Sequence, residues 1–589
     1  MPCSAYWIMG LDFLKLASYI YFMFVRTKKS PNSPKIAVQL VESLRTGKKV
    51  RQKIIRHIGT ALSEEEVEAL KKLAVHYQAE LENASKPTMF DTDTLAELTL
   101  TRRPRDERDN PLHVNLRDLK EEKRITVGIH EFYGGLFDGI GFHRVVKNPA
   151  RKKASVKLLK EMVMARIASP ASKRQSVEML EREYGIKADV NAVYRAMDYL
   201  DEGAIEKTAE LAYRHTTGLI GGSVNVVFYD CTTLYFESFK EDELKQNGYS
   251  KDGKFNQPQV LLAIIVTKSG LPLSYELFGG STFEGDTLKS ALDRLRQKYQ
   301  IDKVIFVADA ALLSKNNIGL IEGQEQEFIL GARIKNMSGE ITRKILDKDA
   351  YKALYSEAND DNASKRILLG EEITFLEIAR KDGEHRLIVT YSPTRAAKDK
   401  HDREKAIEQL SKRIGRSKSP KSLLSNYGYK KFVKIEGEAK LVRDEEKIKE
   451  AEVWDGLHGI YTNIKDMTAV ELLMQYKGLW QVEETFRISK HDLSMRPIFH
   501  WTPPRVKAHI ALCFMALVCV RTAEYRVALQ YKKLSPQAIR RALLGLQVSI
   551  LKDYKTNKVY GLPSKATQDA KKIYQIVGLK WTDVPYLIK

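Results

Sequence analysis

The feature that most restricts the fold is a series of short, apolar, β-branched runs in the middle of the chain, two of which end in aspartate. Ser223-Val-Asn-Val-Val-Phe-Tyr229-Asp230 is too short for a stable helix and too uniformly apolar for an exposed strand. It predicts a buried strand closed by Asp230, with Cys231–Phe236 as a second strand. Gln259–Thr267 and Leu271–Phe278 flank Lys268-Ser269-Gly270, a turn with the glycine a hairpin favours. A helix is expected over about Asp286–Tyr299, where Leu288, Leu292 and Leu295 fall at helical spacing. The next apolar run, Lys303–Ala308, ends in Asp309. Parallel neighbours that both stop at aspartate would bring two carboxylates side by side at one end of a sheet. Aspartate also ends strands and opens turns for purely structural reasons, so the pair needs support from elsewhere.

That support comes from Tyr476-Lys-Gly-Leu-Trp-Gln-Val-Glu483-Glu-Thr-Phe-Arg487-Ile-Ser-Lys490. Tyr476, Glu483 and Lys490 recur every seven residues, close to two helical turns, which predicts one stripe on a helix. The stripe holds an acid between a phenol and an ammonium where an apolar seam would be ordinary. A solvated face with an ion pair between Glu483 and Arg487 accounts for the same spacing on its own. With the two aspartates, the more specific reading is a carboxylate that binds metal beside groups that grip phosphate.

In these residues the chain resembles insertion-sequence transposases of the DDE class, on the branch with a Tyr-Arg-Glu-Lys signature and a ribonuclease H-like catalytic domain. Tyr476, Glu483 and Lys490 match that signature; its Arg position holds Leu479, and Arg487 is the candidate substitute cation. Tyr229-Asp230-Cys-Thr-Thr233, Gly248-Tyr-Ser-Lys251-Asp-Gly253 and Val307-Ala-Asp309-Ala310-Ala311 also look like family blocks. Asp455–Asn463 resembles the strand that re-enters the catalytic core. The resemblance implies that Asp230, Asp309 and Glu483 are catalytic and hold two Mg²⁺ or Mn²⁺ ions, and that Tyr476, Arg487 and Lys490 contact DNA phosphate. It implies double-stranded DNA partners (terminal inverted repeats and target DNA), a homodimer in the synaptic complex, and a prokaryotic, nucleoid-associated cytoplasmic protein with no membrane partner. The expected function is to cut at the ends of an insertion sequence and join them to target DNA. The alternatives are a ribonuclease H-like nuclease of repair or recombination, and a host-adopted DNA-binding protein of transposon origin.

Composition agrees without choosing among these. Lys and Arg number 97 against 76 Asp and Glu in 589 residues, a net charge of +21 that favours polyanions. Ribosome binding or simple solubility would share that charge. Four scattered cysteines supply neither a disulfide framework nor a zinc ligand set, and hard carboxylate oxygens suit Mg²⁺ or Mn²⁺ better than zinc.

The expected fold is α/β, a ribonuclease H-like mixed sheet with flanking helices. It runs in order from an apolar N-terminal extension (1–25) through a basic region and linker (26–117) to a helical, DNA-binding region (118–221). The first part of the core (222–335), a strand-rich insertion domain (336–455), the second part of the core with the catalytic helix (456–522) and a helical C-terminal region (523–589) follow. The insertion is expected because Glu483 lies 174 positions after Asp309, far more than one crossover needs. Asp12 and Lys15 interrupt the apolar N-terminal stretch and argue against a membrane anchor; an extra amphipathic helix or a misplaced start codon is the preferred account.

Overall fold

A computed structural model describes residues 22–29, 35–46, 49–85, 114–146, 149–222, 224–237, 240–249, 256–299, 303–354, 372–380, 383–414, 432–436 and 440–588. The apolar stretch 1–21, most of the linker and part of the Gly248–Gly253 motif lie outside them. The chain divides into two compact units. One comprises Met1–Ser223, Leu271–Leu273 and Arg487–Lys589, the other Val224–Gly270 and Ser274–Phe486.

In the first unit, β1 (Phe22–Lys29), β2 (Ile36–Thr46) and β3 (Lys49–Ala61) form an antiparallel meander. Its inner face, with Val38, Leu40 and Ile58, packs on Leu70, Ala74 and Tyr77 of the helix Glu64–Ser85. Ser63 caps that helix by accepting from the Glu66 N–H at 3.3 Å, and Glu66 Oε2 accepts from the Leu62 N–H at 2.9 Å. β4 (Leu119–Thr126) opens a stretch expected to be helical throughout. Helices then span Gly128–Ile140, Pro149–Ala168, Lys173–Tyr184, Val190–Asp198 and Glu202–Leu219.

The second unit is built on one mixed sheet. β5 (Val226–Tyr235), β6 (Gln259–Thr267), β7 (Pro272–Gly279), β8 (Ile305–Ala308) and β9 (Glu327–Gly331) are followed by β10 (Lys352–Ala353), β11 (Thr374–Ala379) and β12 (Arg386–Tyr391). β13 (Val433–Glu436) and β14 (Lys440–Arg443) pair with each other, and β15 (Leu457–Thr462) returns to the main sheet. The nine-stranded order is β10-β11-β12-β15-β9-β8-β5-β6-β7. β8 runs parallel to β5 and β9, while β6 is antiparallel to β5, so the aspartate-bearing strands lie next to each other at the centre. Gly270 closes the β6–β7 hairpin with φ +73°, the left-handed conformation the turn needs. The 336–455 stretch does contain strands, and β11 and β12 lengthen the central sheet through β15. The cause is pairing: β15 offers one edge to β9 and the other to β12.

The chain then returns to the first unit in the helix Pro503–Gln530, whose residues from Ile510 to Val520 are all buried. This is the described helix long and apolar enough to cross a membrane, yet 94% of its apolar window is buried inside the protein. Cys513 and Cys519 are buried free thiols, as their setting predicts. Arg526, near its end, pairs with Glu66 of the meander's helix at 2.6 Å. The C-terminal region is not purely helical: β16 (Gln547–Asp553), β17 (Val559–Pro563) and β18 (Tyr586–Ile588) extend a sheet in the order β18-β17-β16-β4. β16 finds its partner in β4, hundreds of residues earlier, so no local pattern announces it.

Candidate active site

Asp230 lies on β5, and Asp309 immediately follows β8, the parallel neighbour of β5. Phe228 pairs with Val307, the last pair these two strands make, and each aspartate comes two residues after its member of that pair. Asp230 does not close its strand. β5 runs on as one strand to Tyr235, pairing only with β6 beyond this point, because β8 stops at Ala308 and turns away. Asp230 therefore lies where a central strand loses a neighbour, and both aspartates are partly exposed.

Local hydrogen bonds orient each carboxylate. Asp230 Oδ1 accepts from the Cys231 N–H at 2.7 Å, and Asp309 Oδ1 accepts from the Ala311 N–H at 2.7 Å. The latter bond caps the short 3₁₀ turn Ala310–Leu312. Arg333, just after β9, holds that turn from outside, donating from Nε to the Ala310 carbonyl at 2.9 Å and from Nη2 to the Ala311 carbonyl at 3.1 Å.

The Tyr476–Lys490 segment is not one continuous helix. Tyr476 lies in the helix Ala469–Lys477, Glu483 in the helix Trp480–Arg487 and Lys490 in the π-helical turn Ile488–Asp492. Between the first two, the N–H groups of Gly478, Leu479, Gln481 and Val482 each bond three residues back, a tighter winding than the α-helix. A glycine is required at this break: a Cβ on Gly478 would come within 2.4 Å of the Phe228 ring on β5. Backbone at the junction thus rests on the strand that carries Asp230. Leu479, at the signature arginine position, is only 9% exposed. The expected single stripe gives way to a broken path with an apolar side chain turned inward.

Tyr476 nevertheless reaches the site. A Cβ on Gly331 would meet its hydroxyl at 2.7 Å and the Ala310 nitrogen at 2.8 Å, so the phenol sits over β9 beside the Asp309 turn. Burial, and then the charges of Asp309 and Glu483, push its pKa up to about 12. Its ring lies 5.2 Å from that of His458 on β15, whose pKa is lowered to about 4 by burial and by Arg395. Arg395 opposes the two acids at Tyr476 as well.

Asp230, Asp309 and Tyr476 are thus gathered around the central strands, and Glu483 is an exposed carboxylate within electrostatic reach of Tyr476. The three acids do not form a ready-made metal cage: among the described residues no three His, Cys, Asp or Glu side chains converge closely enough. The break at Gly478 removes the common stripe that would have aligned Glu483 with Tyr476. Arg487 is exposed and lies 4.0 Å from Asp492. Arg333, Arg395 and His458 escape a reading of the sequence, since each arrives from a distant element; only the glycine beside Leu479 signalled that the catalytic helix would break.

The family model described as "Transposase DDE domain" matches residues 223–519, and that of the IS1634 family transposase N-terminal domain matches residues 24–87. Among curated proteins none matches the chain. Two solved structures overlap it loosely. A piggyBac transposase synaptic complex with hairpin DNA is 8% identical over 71% of this chain and 79% of that one, with a TM-score of 0.34. A Mos1 transposase paired-end complex with the left transposon end is 17% identical over 31% of this chain and 59% of that one, with a TM-score of 0.14. Neither overlap is close enough to carry an argument.

Proposed function

The chain belongs to the family of transposases built on a DDE domain, and from that premise we propose that it cuts DNA at the ends of its insertion sequence and joins them to target DNA by metal-dependent phosphoryl transfer. The observation that carries the reading is that Asp230 and Asp309 each come two residues after the last pair of two adjacent parallel strands, with the Tyr476 phenol beside the second of them. The order β7-β6-β5-β8-β9, with β6 alone antiparallel to its β5 neighbour among the pairings of β5, β6, β8 and β9, supports a ribonuclease H-like core.

The donor set fits a hard divalent cation. Both aspartates are partly exposed, and each carries one oxygen held by a backbone N–H, leaving hard carboxylate oxygens free to turn to a cation. Asp230 and Asp309 would hold it, with Glu483 as a further carboxylate ligand once DNA is engaged. Such cations, when bound, activate an attacking oxygen and stabilise the leaving one. The protein's own part is positioning. Arg333 fixes the turn that orients Asp309, and Tyr476, protonated at all physiological pH, donates its O–H to a phosphate oxygen. Lys490 and Arg487 act as phosphate contacts, and the +21 surplus draws DNA without reading sequence. The DNA partners are the terminal inverted repeats and the target, engaged by a homodimer.

Product analysis tests the reading. Incubated with Mg²⁺ and DNA carrying the sequences that flank its gene, the protein should leave a 3′-OH at the element's end that a polymerase extends. Ends that no polymerase extends would point to a different hydrolytic chemistry.

A further inference from the structure

Within the first unit, a cavity of about 300 Å³ is rich in cations and free of carboxylates. Arg166, Ser172, Lys173, Arg496, His500 and His509 are among its lining, and neither Asp nor Glu is. Arg166 and Lys173 are only 6% and 5% exposed. Among the described contacts Arg166 donates to neutral carbonyls: Ala171 at 3.0 Å, Ser494 at 3.3 Å and Leu493 at 3.4 Å. Lys173 Nζ lies 3.5 Å from His509 Nδ1, while His509 Nε2 faces the Met495 carbonyl at 3.1 Å. The carbonyl requires the histidine proton on Nε2, so Nδ1 accepts one ammonium N–H and the other two have no acceptor among the described contacts. Asp198, on the helix that also carries the cavity-lining Tyr194, is engaged by Arg505 at 3.0 Å and neutralises nothing inside.

Two buried cations with no counter-charge among the described residues are costly unless an anion enters. The strain registers in their neighbours. Burial and Arg166 lower the Lys173 pKa to about 7, and burial with Lys173 lowers that of His500 to about 4. Ser172 caps the 12-residue helix Lys173–Tyr184, so the positive end of its dipole opens on the same space.

We propose that this cavity binds a phosphate group, either the terminal phosphate of a DNA strand or a small phosphorylated molecule. Only the first source rests on the DNA-cutting reading. A phosphate there would accept the spare Lys173 N–H groups, with Arg496 and the first turn of the helix completing the cradle.

The test uses the full chain and inorganic phosphate against chloride at matched ionic strength, read by thermal melting and titration calorimetry. Wild type should show a saturable rise in melting temperature with phosphate. Lys173→Met should melt no lower than wild type in chloride and lose at least tenfold in phosphate affinity. Arg496→Gln, at a half-buried site, serves if the first variant does not fold and should also bind more weakly. No saturable phosphate effect on wild type, or phosphate affinity unchanged in the folded variants, overturns the proposal. Oligonucleotides with and without a terminal phosphate then separate the sources: a preference for the phosphorylated end, lost in the variants, assigns DNA. Equal binding of both, with phosphate still bound, assigns a small molecule. Phosphate binding by a protein that cuts no DNA would sink the transposition reading alone, and cutting without phosphate binding would sink this inference alone.

Discussion

Gly331 leaves a space that the Tyr476 hydroxyl and the Ala310 nitrogen fill from opposite elements, and the site depends on that closeness. Gly331→Ala would set a methyl 2.7 Å from the one and 2.8 Å from the other. Overpacking of this kind costs about 1–3 kcal/mol, and here it also displaces the turn that orients Asp309. The variant should remain folded with a slightly lower melting point and lose strand cleavage far out of proportion; undiminished cleavage would remove Tyr476 from the site. The acids make a sharper case. Asp230→Ala, Asp309→Ala and Glu483→Ala should each slow cleavage by at least about a hundredfold, as loss of a preorganised electrostatic contact does, while gel-shift affinity for DNA stays largely unchanged. A variant cutting at the wild-type rate would exclude its residue. At this scale the apolar runs around Asp230 and Asp309 are locally visible in the sequence, although Asp230 lies inside β5, which runs on to Tyr235. The sequence was blind to Arg333, Arg395 and His458, which meet the site only through sheet pairing and a helix from the far side of β12.

The β6–β7 hairpin shows what can be read at the scale of elements: two β-branched runs and one glycine in the left-handed region determine it locally. The catalytic helix shows what cannot. A seven-residue repeat implies one stripe only if winding is uniform, and the winding tightens around Gly478, whose backbone lies close to Phe228, which the repeat does not reveal. Leu479 is the diagnostic residue. Leu479→Arg would place a charge at a site 9% exposed, and an uncompensated buried charge costs roughly 3–5 kcal/mol. A large fall in melting temperature with no gain in DNA affinity is expected. A stable variant that binds DNA more tightly would return Leu479 to the DNA-facing side. The β16–β4 pairing was illegible for a different reason: strands so far apart in sequence carry no shared local mark.

The whole molecule carries several histidines held neutral by burial. His215, His458 and His500 have pKa values lowered to about 4, and His509 is held well below the ordinary 6.5. The unfolded chain takes up these protons near pH 6.5 and the folded one does not. Their contribution to stability is therefore complete above pH 6.5 and is lost as pH falls towards 4, at up to about 1.4 kcal/mol per pH unit for each histidine. Denaturant melts across that window should steepen this acid limb in wild type and relieve it in His458→Gln; a flat profile would mean these rings are solvated. The two aspartates, the phenol and the basic surplus converge on one claim, that this chain cuts DNA with metal held by its carboxylates. The most direct measurement is cleavage of plasmid DNA bearing the gene's flanking sequences, with Mg²⁺, with excess EDTA, and with Asp309→Ala. Cleavage confined to wild type with Mg²⁺ is the result predicted here, whereas full-rate cleavage in EDTA or by Asp309→Ala would contradict it.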